Sequence, residues 1–104
     1  MKEFVYTLVL IDRLFVEDNW TQKEEAIISR HFKHLVDLET EGKLILAGKT
    51  DGLDPNTKGL VFFQAESMKK AQEIMDKDPA IMEGIMSGTL QEFNIALLNN
   101  QYKK

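Results

Sequence analysis

Residues 4–11 read FVYTLVLI, and this stretch decides the fold. β-Branched and aromatic side chains dominate it, which marks a strand. Alternation puts Phe4, Tyr6, Leu8 and Leu10 on one side and Val5, Thr7, Val9 and Ile11 on the other. Both sides are largely apolar, so the strand must be covered on both faces. A second such run, Gly59 to Glu66, carries Leu60, Val61, Phe62 and Phe63 and has the same two-sided character.

Between these runs, Thr21 followed by Glu24 forms a capping-box pattern that starts a helix. The spacing predicts the helix over Gln22–Glu41, stopped by Gly42, a glycine able to take positive φ. At about 100° per residue, Ile27, Ile28, His31, Leu35 and Leu38 make one apolar stripe, with His34 on its edge. Lys43–Thr50 reads as a second strand in which Leu44 and Leu46 alternate against Ile45 and Ala47. Asp51–Lys58 is dense in turn formers and reads as an exposed loop. Ser67 can cap a second helix over Met68–Lys77. Pro79 then breaks that helix or starts a short turn running to Met86. Thr89–Leu98 reads as the last strand, with Phe93, Ile95 and Leu97 on one face.

The order strand, helix, strand, strand, helix, strand is the split βαβ, ferredoxin-like pattern. The expected architecture is α+β: a four-stranded antiparallel sheet with two main helices on one face. The second, apolar face is left open, and large exposed apolar patches are rare in monomers. The same face of a second copy is the simplest cover, giving a two-fold homodimer through the sheet or a larger assembly built on it. With 104 residues, one domain over residues 1–98 and a polar tail over 99–104 account for the chain.

The formal net charge of −4, with no basic stripe, argues against nucleic acid as a partner. The absence of cysteine excludes a disulfide scaffold, a thiol nucleophile and a cysteine zinc site, and fits a cytoplasmic location. The Phe4–Ile11 run lacks a following small-residue cleavage site and reads as a strand rather than a signal peptide, and no stretch approaches a membrane span. Neither a glycine-rich phosphate loop nor a nucleophile elbow is present.

Few residues carry chemistry. His34, on the stripe edge, is placed where a ring can reach a cleft, and a histidine is a ready proton carrier near neutrality. His31, at the stripe centre, reads instead as a mostly buried histidine with a satisfied ring. The pair could share a metal, but no third ligand stands at motif spacing, so neither metal nor cofactor is expected. Asp78 precedes Pro79 and marks a helix break, where its carboxylate can turn toward another element. Asp54–Pro55 has the same composition and reads as a turn. Met68, Met75, Met82 and Met86 suit a core or an adaptable pocket. Trp20 either lines a cleft or packs on the helix start.

Three segments together resemble the YCII-related family of small bacterial proteins: Arg30 with His34-Leu35, Leu38 and Gly42; Leu44-x-Leu46-Ala47-Gly48; and Asp78-Pro79 with Gly84. The resemblance covers residues 4–97. It implies a dimeric α+β barrel of two ferredoxin-like units packed sheet to sheet, and a His34–Asp78 dyad in a cleft. Lys49 departs from the pattern, since the family often has proline there. A carboxylate on one ring nitrogen fixes the tautomer and raises the basicity of the other. Such a base can remove a proton beside a carbonyl. Arg30, one turn before His34, is placed to hold a substrate carboxylate or to pair with a surface glutamate. Two readings follow. One is an acid–base lyase or isomerase acting on a small organic acid, with His34 and Asp78 catalytic and Arg30 binding substrate. The other is a non-catalytic dimeric module that binds a small ligand or serves assembly. A haem monooxygenase of the same shape has no support beyond the histidines.

Overall fold

A computed structural model describes residues 1–103; Lys104, the end of the expected tail, lies outside the described residues. The strands are β1 (Lys2–Leu10), β2 (Leu44–Lys49), β3 (Gly59–Ala65) and β4 (Met86–Glu92). The helices are α1 (Gln22–Thr40), α2 (Met68–Asp76) and the single turn α3 (Pro79–Met82), with two short 3₁₀ turns between β1 and α1. The sheet order is β2-β3-β1-β4, with every neighbour antiparallel. This is the ferredoxin-like arrangement expected from the element order. No helix of the described residues is long and apolar enough to cross a membrane.

The two-sided strand sits near the middle of the sheet. Tyr6 lies between Val61 of β3 and Leu90 of β4. Phe4, Tyr6, Leu8, Val61, Phe63 and Ala65 face the helices and are buried with Ala71 and Met75 of α2. Tyr6 and Phe63 meet edge to face at 5.6 Å. The opposite face pairs Val5 with Phe62 and Thr7 with Leu60. At its margin Phe62 meets Phe93 at 4.9 Å, and Leu46 is 62% exposed.

Helix boundaries follow local chemistry. The Thr21 amide donates to Glu24 Oε1 at 2.9 Å, the Thr21 hydroxyl donates to the same oxygen, and that hydroxyl accepts from the Lys23 amide at 3.2 Å. Arg13 binds the other Glu24 oxygen at 3.1 Å. At the far end, Gly42 (φ 77°) turns the chain out of α1. The Lys43 amide then bonds the Leu38 carbonyl at 2.9 Å.

Two expectations are corrected. In β2 the strict alternation from Leu44 fails, because the register shifts between Leu44 and Leu46. Leu44 pairs with Phe63, but Ala47, not Leu46, pairs with Val61. One extra residue in a strand reverses the facing of everything after it. Ala47 and Lys49 therefore take the helix side and Leu46 turns outward. The last strand is Met86–Glu92 rather than Thr89–Leu98. Gly84 (φ 74°) ends α3, and the Ile85 carbonyl accepts from the Ile11 amide at 3.0 Å, which lays Met86 beside Leu10. At the other end Phe93 donates to Glu3 at 2.9 Å. Ile95 and Leu97 lie beyond the start of β1, so no strand faces them. The methionines also divide: Met75 is in the core, Met86 is half-buried, and Met68 and Met82 are exposed.

The Thr21 hydroxyl, then its amide, hold the Glu24 carboxyl at about 2, below its ordinary 4.5. A carboxyl lowered in the folded state stabilises the fold above its unfolded value and loses that contribution as pH falls through the folded one. Urea unfolding followed between pH 4.5 and 2 is expected to show declining stability, and Glu24→Gln is expected to flatten that decline.

Candidate active site

Asp78 is the N-cap of α3, and Pro79 at the first helical position keeps its backbone extended (φ −64°, ψ 123°). Its carboxylate is wholly buried. Oδ1 accepts the Ala80 amide at 2.9 Å, and Oδ2 accepts the Tyr6 hydroxyl at 2.7 Å. His31 Nδ1 lies 2.8 Å from Oδ1 and 2.9 Å from Oδ2. An ionised carboxylate only accepts, so Nδ1 must carry the proton. Neutral His31 is thus the Nδ1–H tautomer, with its lone pair on Nε2, which takes no hydrogen bond from the described residues. Three elements meet here: β1 through Tyr6, α1 through His31 and α3 through Asp78.

Burial would raise the Asp78 carboxyl. The hydrogen bond and charge of His31, then the Tyr6 hydroxyl and the Ala80 amide, outweigh it and hold Asp78 below the usual carboxylate range. The Tyr6 hydroxyl is pushed well above its usual range by burial and by the neighbouring Asp78 charge.

His31 lines a cavity of about 600 Å³ on the helix side of the sheet; Asp78 and Tyr6 do not line it and stand behind the ring. Most of the wall is apolar, with Leu8 and Leu10 from β1, Ile28 and Leu35 from α1 and Met86 from β4. The 51–58 loop adds Gly52, Leu53 and Thr57, so it borders the cavity rather than standing clear of it. Within it, Asp54 accepts from the Asn56 amide at 2.7 Å, the turn expected at Asp54–Pro55. Trp20 lines the cavity, one of the two places open to it, and its indole donates to the Leu14 carbonyl of the first 3₁₀ turn at 2.9 Å. The charged wall residues are Glu25 and Lys49, the latter brought to this side by the β2 register shift. Lys49 Nζ donates to the Thr50 carbonyl at 2.9 Å and pairs with no carboxylate among the described residues.

The His34–Asp78 pairing is therefore corrected: Asp78 meets His31. Three residues along an α-helix leave the two rings about 60° apart around its axis. The α3 turn brings its N-cap to the stripe centre, not to its edge. His34 lies outside the cavity wall, and its buried Nε2 has no partner among the described residues. Arg30 also lies outside the cavity and pairs with Glu83 at 3.2 Å, the surface ion pair that was its other reading. The signal that points to the observed site was available: a stripe-centre histidine and an inward tyrosine both need a polar partner, and Asp78 can serve both. Among the described residues no three acidic or histidine side chains cluster as metal ligands.

Removing the carboxylate strands three donors. Asp78→Ala is expected to cost about 3 kcal/mol or more in urea or thermal unfolding. His34→Leu, which breaks no recorded hydrogen bond, is expected to change stability by less than about 1 kcal/mol.

Fold and site together define an α+β protein with a carboxylate-backed histidine on an apolar cavity. The sequence pattern of the YCII-related domain matches residues 7–94, and the chain belongs to that family. Among solved structures it is similar to 5-chloro-2-hydroxyhydroquinone dehydrochlorinase from Burkholderia phenoliruptrix AC1100, determined with 2,5-dihydroxybenzoquinone. The TM-score is 0.60 at 18% identity, over 88% of this chain and 93% of that one, a likeness of fold. No curated protein matches the chain in sequence.

Proposed function

We propose that the chain is a small-molecule enzyme in which His31 transfers a proton to or from a small organic acid, in an elimination or an isomerisation. The observation that carries this reading is a cavity-lining histidine whose Nδ1 is held by the buried Asp78, leaving Nε2 as the basic atom. The acid–base role expected of His34 passes to His31, and Asp78 keeps the orienting role expected of it, now toward His31. In an elimination, Nε2 takes a proton from carbon beside a carbonyl, the C–H pair becomes the new double bond, and the leaving group departs with its own electrons. In an isomerisation, the imidazolium returns that proton at another carbon. The dehydrochlorinase of similar fold performs an elimination, which supports the first form. Lys49 takes the anion-binding role first considered for Arg30, because it lines the cavity and has no carboxylate partner among the described residues.

Deuterium incorporation beside the carbonyl of small 2-oxo acids and unsaturated lactone acids, read by proton NMR, tests this. Exchange by the unaltered protein is expected to fall about 10²- to 10⁴-fold in His31→Gln. Lys49→Gln is expected to raise KM more than it lowers kcat. His34→Gln and Arg30→Gln are expected to leave exchange within a few-fold. Binding of these acids without exchange would leave a non-catalytic ligand-binding module instead.

The same reading makes the protein a homodimer through the open sheet face. Leu60 and Phe62, half-buried on that face, with the exposed Leu46 and Phe93 at its margin, form the kind of apolar patch that a second copy buries. Sedimentation is expected to find a dimer that Phe62→Asp converts to monomer.

A further inference from the structure

We propose that Tyr6 is a positioning residue that sets the proton affinity of His31 through Asp78. This rests on His31 being the proton-transferring group. The Tyr6 hydroxyl is fully buried in the middle of the sheet, 2.7 Å from Asp78 Oδ2, and Asp78 is its partner. A phenylalanine would fill the same space beside Phe63 without a hydroxyl to desolvate. The hydroxyl therefore has to be explained by the carboxylate it meets.

A carboxylate shared among donors is a weaker acceptor for each of them. Asp78 divides its charge between the Ala80 amide, the Tyr6 hydroxyl and His31 Nδ1–H. Tyr6 thereby lessens the pull of Asp78 on the imidazolium. It cannot accept the proton in turn, because burial and the Asp78 charge keep its own hydroxyl protonated. Tyr6 is a fixed dipole behind the base, while the other two donors hold the carboxylate in place.

The titratable and charged groups around His31 come from four elements. Asp78 approaches from α3 and Tyr6 from β1. Glu25, on α1, and Lys49, on β2, border the same cavity. His34 lies one turn along α1. Only Tyr6 acts through the hydrogen-bonded carboxylate, which separates its effect from the direct charges.

NMR titration of the two histidines tests this without any substrate. The His31 midpoint is expected to rise by roughly half to one pH unit in Tyr6→Phe, a fraction of the strength of a hydrogen bond to a charged group. It is expected to fall in Asp78→Asn. Adding Tyr6→Phe to Asp78→Asn is expected to move it little further, because the ionised carrier of the effect is gone. A purely structural Tyr6 would lower the melting temperature in Tyr6→Phe and leave the His31 midpoint where it was. That result, or a midpoint that falls, overturns the proposal. Should Tyr6→Phe fail to fold, 3-fluorotyrosine at position 6 in a Tyr102→Phe background keeps the shape and strengthens the donor. The midpoint is then expected to fall, and an unmoved midpoint overturns the proposal. Absence of proton exchange with every acid tried would count against the enzymatic reading while leaving this titration result intact.

Discussion

A carboxylate sealed from water must be met by donors, and Asp78 is met by donors from the elements around it. The sheet supplies Tyr6, the long helix supplies His31, and the backbone of its own short turn supplies Ala80. The Tyr6 hydroxyl and the Ala80 amide would be unsatisfied buried groups without Asp78, and Asp78 would be an unmet buried charge without its donors. The geometry of the site is therefore a consequence of how the sheet, α1 and α3 close on one another, and the closure is in turn pinned by the site. Such dependence explains how a strong polar cluster can sit inside so apolar a core.

The cavity owes its shape to a second, smaller constraint. A shift of one register position in β2 turns Ala47 and Lys49 toward the helices and Leu46 away from them. Without it, the wall beside His31 would carry leucine, and the lysine would stand on the other face. The same shift adds an apolar side chain to the open side of the sheet. One irregularity thus shapes both the cavity and the surface on which a second copy packs in the proposed dimer.

Much of the architecture was legible because it follows from local rules. The Thr21–Glu24 box and Gly42 bound α1 to within a residue, as capping and positive φ require. The βαββαβ order follows from hydrophobic period and turn composition. The last strand, Met86–Glu92, differs from the sequence pattern because its length depends on where β1 begins, and no local signal in Phe93, Ile95 or Leu97 carries that. In β2 the pattern of apolar residues permits either facing, so the register had to be decided by pairing with β3.

By itself, the sequence determined the element order, the helix ends, the apolar stripe of α1 and the presence of Asp78 at a helix break. It also carried the family pattern. What the tertiary structure alone decided is which histidine meets that aspartate. His31 and His34 are separated by one helical turn in sequence and both are half-buried, but their rings leave the helix about 60° apart around its axis. The α3 N-cap reaches the centre of the stripe, where desolvation makes a charged hydrogen bond strong. The edge that His34 occupies receives no such partner among the described residues.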